Sequence, residues 1–225
     1  ADLAKPSPLE VNPLDKNAIV DWLEANPNNI WALNTTCANL VEEEKFLEAI
    51  PLLERSIRLH PRQRGGGSPY GMLARTHREL GQAEDELAVL EQWAVIEDAA
   101  TKLYGRLMEI HAERENWEAV DRLAKRFFSA NPLSPIGHRF MALTAQQTGN
   151  TVATIRPLKR LLLLDPADPV DLHFRLATAL AGPSPLEAKR HVLQALEDAP
   201  RFRAAQKLLT RLAKPEPPAG EAKAQ

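Results

Sequence analysis

The chain has 225 residues, 44% of them apolar and 26% charged, with a formal net charge of −2. That apolar share is enough for a continuous core, while a chain so close to neutral lacks the basic footprint of a nucleic-acid binder. The single cysteine, Cys37, excludes an intramolecular disulfide, and no apolar run is long enough for a membrane-spanning helix.

Residues 1–13 hold Pro6, Pro8 and Pro13 without a sustained apolar period and read as an irregular lead-in. The chain opens at Ala1 with neither an initiator methionine nor a signal-type segment, as expected of a processed chain or an excised piece. A soluble protein is expected, cytoplasmic or exported after loss of a signal. Residues 15–25 follow a helical period, with Ile19, Trp22 and Leu23 on one stripe. Residues 30–42 and 46–59 form a first helix pair, with Pro51 expected near the start of its second helix, where a missing N–H costs little. A loop over 62–68 carries Gly65, Gly66 and Gly67.

Helices over 69–80 and 82–96 meet at Gly81, and a further pair occupies 101–114 and 117–130. The next pair, 135–148 and 152–164, meets at Gly149, and Pro157 is expected to start or kink its second member. Helices over 170–181 and 185–199 join across Gly182, Pro183 and Ser184. A lone helix over 201–212 places Arg203, Lys207 and Arg211 beside Ala204, Leu208 and Leu212, the half-polar pattern of a cap. Residues 213–225, with Pro215, Pro217 and Pro218, read as a disordered tail.

A period underlies this series. Pro132, Pro166 and Pro200 recur at one fixed interval, and each closes an apolar helical run. Pro61 lies two such intervals and three further positions before Pro132, and the glycine loop accounts for the excess. Pro27 lies one interval before Pro61, and Asp98 stands where the missing proline would fall. Positions eight, five and four before each proline repeat one apolar face: Ile19, Trp22 and Leu23 before Pro27, and Leu53, Ser56 and Ile57 before Pro61. A fixed period of about 34 residues is the mark of a stacked repeat.

Helix pairs of this length ending in proline resemble the tetratricopeptide repeat. The small residues agree: Ala49 and Ala188 stand twelve before the proline, with Val120 and Thr154 looser. Cys37 and Ala142 stand twice as far before it, Met108 departs, and Ala177 fits with one residue deleted. Leu80-Gly81 and Thr148-Gly149 look like the family's leucine-glycine turn. The resemblance covers about residues 14–212 and implies an all-α, right-handed superhelical solenoid of antiparallel helix pairs. It comprises a half repeat over 14–29, pairs over 30–66, 67–100, 101–134, 135–168 and 169–200, and a cap over 201–212.

No chemical motif competes with that reading. His111 opens a stretch like a zinc-protease motif, but Glu115 stands where the second histidine is required. The other histidines share no ligand spacing, so no metal or cofactor is expected. The glycine loop lacks the Lys-Ser/Thr of a phosphate loop, and Cys37 reads as a small core residue. Glu42, Glu43 and Glu44 read as a solvated helix end, and Trp31 is the tryptophan placed to reach a groove lip.

The resemblance implies an inner groove lined by the first helix of each pair, with Asn34 and Ala38, Arg75 and Arg78, Glu109, Arg139, Leu143 and Gln146 facing it. The arginines suit a carboxylate or an acidic peptide. The lysine and asparagine that clamp a chaperone's terminal carboxylate in some members are absent at Asn34 and Ala38. The expected function is a non-enzymatic module binding a protein or peptide segment in that groove. The alternatives are a scaffold or regulatory domain of a larger enzyme, and a helical enzyme using Glu109, Glu113 or His111 across the groove.

Overall fold

The computed structural model describes residues 15–64, 67–164 and 166–213. The expected lead-in, Gly65 and Gly66 of the glycine loop, and the tail beyond Ala213 lie outside the described residues. The chain divides into two compact units, Ala1–Ile110 and His111–Gln225. Every regular element among the described residues is helical.

In the first unit, α1 (Lys16–Ala25) begins where the Asp15 carboxylate accepts the N–H groups of Asn17 and Ala18, satisfying donors the helix leaves open. α2 (Ile30–Glu42) is capped in the same way by Asn29. It packs on α3 (Phe46–Leu59), which in turn packs on α4 (Pro69–Glu79), and α4 packs on α5 (Ala83–Ile96). α6 (Thr101–Glu113) carries the division between the units. Pro51 lies in the second turn of α3, further inside than expected, and α3 remains α-helical through it.

In the second unit, α7 (Trp117–Ala130) starts on an Asn116 cap and packs on α8 (Pro135–Gln147). The following element departs from its counterparts. A 3-10 turn over Thr151–Thr154 precedes α9 (Ile155–Leu162), which has 8 residues, where α3, α5 and α7 each have 14. Pro157 falls in the first turn of α9, where its missing N–H costs little, and Ala153, whose carbonyl its ring would meet in a continuous α-helix, lies in the 3-10 turn. α10 (Pro169–Leu180) and α11 (Pro185–Asp198) form the next hairpin, and α12 (Arg203–Ala213) covers it.

The periodic face is the buried face. Ile19, Leu53, Ala124, Leu158 and Val192, each eight positions before a repeat proline, are all buried. The small-residue places are buried as well: Ala49, Val120, Thr154 and Ala188 in one row, and Cys37, Met108, Ala142 and Ala177 in the other. Small side chains there let two helix axes approach to about 8–10 Å. The core of the second unit joins Ala142, Leu158, Leu161, Leu172, Leu176 and Ala188. A neighbouring cluster of Ala177, Val192, Ala205 and Leu208 seats α12. On α12, Leu208 is buried and Leu212 packs on the core as expected, but Ala205 rather than Ala204 is the buried alanine, and Phe202 just before the helix packs on Phe174 at a ring separation of 4.7 Å. Ala213, placed by expectation in the tail, is the last residue of α12.

Candidate functional site: the outward faces of the first helices

α4 buries Tyr70, Leu73, Ala74 and His77, and this turns Arg75 and Arg78 to solvent. The two arginines are three residues apart and share one helix face. Arg75 Nε lies 4.0 Å from Glu79 Oε1. Gly71 leaves the room that the Trp93 ring occupies, since a Cβ there would meet that ring at 3.0 Å. On α6, Glu109 is exposed and 3.5 Å from Arg106.

Asn34 is placed differently. It is half-buried, its Oδ1 accepts the Ser56 hydroxyl at 2.6 Å, and its Nδ2 donates to Gln63 Oε1 at 3.3 Å. Its side chain therefore ties α2 to α3 and to the loop that follows. Trp31, three residues before it, is 38% exposed.

In the second unit, α8 presents Arg139, Leu143 and Gln146 at spacings of four and three, one face of a helix. Arg139 and Gln146 are exposed and Leu143 is half-buried. Gln146 Oε1 accepts from Arg175 Nη2 of α10 at 3.4 Å, and Arg175 Nη1 lies 3.6 Å from Asp171. The outer face of α8 thus continues onto α10. Neither Arg175 nor Asp171 was expected from the sequence. Their spacing of four was visible, but nothing in the sequence linked them to Gln146.

A second polar cluster is structural. Glu86 is 2% exposed, and Arg106 grips it with both ends of its fork, Nε to Oε1 at 2.8 Å and Nη2 to Oε2 at 2.9 Å. Such a bidentate pair is among the strongest polar contacts available to a fold. At the surface, Glu43 sits between Lys16 at 2.6 Å and Lys45 at 2.9 Å, and their hydrogen bonds pull its carboxyl down to about 2. Burial pushes the Cys37 thiol up to about 12, so the reactive thiolate is suppressed at neutral pH.

The histidines serve packing. His138 is buried, with Nε2 3.3 Å from the Pro132 carbonyl and its ring edge-on to Phe128. His77 Nδ1 meets Gln82 Oε1 at 2.7 Å across the α4–α5 turn. Among the described residues no group of three or more His, Cys, Asp or Glu side chains is placed to hold a metal ion. No helix among them is long and apolar enough to cross a membrane.

No protein-family model matches the sequence, and no curated protein matches it. Solved structures do share its fold. YrrB, a TPR protein with an unusual peptide-binding site, is 11% identical with a TM-score of 0.63, over 86% of this chain and 98% of its own. The MamA protein is 15% identical with a TM-score of 0.58, over 84% of this chain and 98% of its own. A tetratricopeptide repeat protein from Parabacteroides merdae is 14% identical with a TM-score of 0.55, over 88% and 91%. The fold is therefore an all-α helical repeat of the tetratricopeptide type.

Proposed function

We propose that this chain is a non-enzymatic binding module that receives a peptide or partner segment on the outward faces of its first helices. The repeat division given by the proline period belongs to the same proposal. In the first unit Arg75, Arg78 and Glu109 make the contacts and Asn34 frames the surface. In the second unit Arg139, Leu143 and Gln146 do so. The observation that carries this reading is the Gln146–Arg175 contact, which joins α8 to α10 on the side that carries Arg139 and the half-buried Leu143. A segment that pairs carboxylates with an aliphatic side chain fits that surface.

Exposed arginine–carboxylate pairs contribute about 1 kcal/mol or less each, so losing three costs about 2 kcal/mol and weakens Kd roughly thirtyfold. The test is affinity capture from a native lysate with the wild type and an Arg75→Ala, Arg78→Ala, Arg139→Ala variant of matched circular dichroism. A protein retained by the wild type and lost by the variant supports the proposal. Equal retention moves recognition to other faces.

A further inference from the structure

A second feature lies beside the shortened α9. Between α7, α8 and α9 lies an open cleft of about 390 Å³. Pro157 is buried at its wall, and Phe128 and Met141 line it half-buried. Leu133 and Leu163 stand at its rim 79% and 74% exposed. The wall on the α7 side is pre-formed, because His138 is fixed between the Phe128 ring and the Pro132 carbonyl.

Two arginines, Arg156 and Arg160, line the cleft one helical turn apart on α9, both exposed. Among the described residues no carboxylate lines the cleft, and none lies within ion-pairing distance of either arginine. Lys159 between them is engaged elsewhere, with Glu187 at 2.5 Å. An adjoining hollow of about 440 Å³ shares Met141, Arg156 and Pro157 but carries Glu118 and Asp121 at the other end of α7. Asp121 is held there by Lys125.

We propose that this cleft docks a peptide segment in which a large aliphatic side chain stands beside carboxylates, the aliphatic group entering between Leu133 and Leu163 and the carboxylates pairing with Arg156 and Arg160. Arg156 and Arg160 supply the charge complement to such a segment, and the open cleft has room for a side chain. The cleft takes in His138 and Met141 of α8 but not Arg139, Leu143 or Gln146.

The test uses the full chain and three fluorescein-labelled peptides followed by anisotropy: leucines flanked by glutamates, the same with lysines for the glutamates, and the same with alanines for the leucines. The glutamate–leucine peptide should bind at least about tenfold more tightly than either counterpart. Arg156→Glu with Arg160→Glu should weaken it at least about tenfold, and Leu133→Asp should weaken it too. Lys207→Glu with Arg211→Glu, an equal charge change on α12, should leave it unaltered. Circular dichroism confirms folding, and glutamine replaces glutamate at Arg156 and Arg160 if the reversed pair unfolds. No saturable binding, preference for the lysine peptide, or equal weakening by both charge-changed pairs overturns the proposal. Sedimentation with phosphatidylserine vesicles that depends on Arg156 and Arg160, without peptide binding, overturns it in favour of a membrane surface.

Discussion

Four hairpin turns use one backbone device with two kinds of residue. Glu44, Gly81, Glu115 and Gly149 all have positive φ, at 59°, 72°, 54° and 73°. The last three recur at the same interval as the prolines, and Glu44 stands three positions further back, as the glycine loop requires. The repeat thus returns in the backbone torsions. Glycine adopts this conformation freely, while a Cβ in it costs about 1 kcal/mol. Glu115→Gly should therefore raise unfolding free energy by about 1 kcal/mol in urea titration, and Gly149→Ala should lower it by a similar amount. The first result is the more informative, since it removes a charged side chain and yet stabilises. Arg106 gives the opposite case. Arg106→Ala leaves the Glu86 carboxylate buried without its fork and should cost about 3 kcal/mol in the same titration. Replacing both partners with apolar residues of similar volume should recover most of that loss, because the penalty lies in the stranded charge.

At the scale of elements, α10 and α11 meet through a histidine pair. His173 Nδ1 and His191 Nδ1 are 2.9 Å apart with stacked rings, and His191 Nδ1 also reaches Gln194 Oε1 at 3.1 Å. Burial holds both histidines below their usual value of 6.5, assisted for His173 by the charge of His191, while Asp198 and Glu187 act in the other direction. The unfolded chain takes up protons near the ordinary value, and the folded chain resists until lower pH. Stability is thus intact above about pH 6.5 and falls as pH drops below it. Thermal unfolding should show Tm decreasing from pH 7 to 5, with a shallower slope in His191→Gln. The helices themselves were legible in the sequence, because proline spacing and the apolar face report the same period, and α2 and α3 fall where that period puts them. The burial of Ala205 in place of Ala204 on α12 was not. Nor were contacts such as Glu86–Arg106 or His173–His191, which depend on side chains meeting across two helices and leave no trace in either helix's period.

At the scale of the whole molecule, the fold asks little of the sequence. Small residues at the helix contacts and an apolar face returning once per repeat suffice, which is why structures only 11–15% identical share it. Residues turned to solvent carry no such period, so the regularity that made the fold readable says nothing of a partner. The sequence placed Arg75, Arg78 and Arg139 on an inner groove, and the structure shows each of them exposed. It could not say that Asn34 spends its amide on Ser56 and Gln63, or that Arg175 extends the α8 face.

The central claim is that the first helices carry recognition. It is tested most directly by photo-crosslinking in a native lysate, with a benzophenone amino acid placed singly at Arg75, Arg139, Leu47 or Val95. The first two are exposed on α4 and α8, first helices, and the last two on α3 and α5, second helices. The account predicts a discrete crosslinked partner from Arg75 or Arg139 and none from Leu47 or Val95. A partner captured only from Leu47 or Val95 would contradict it.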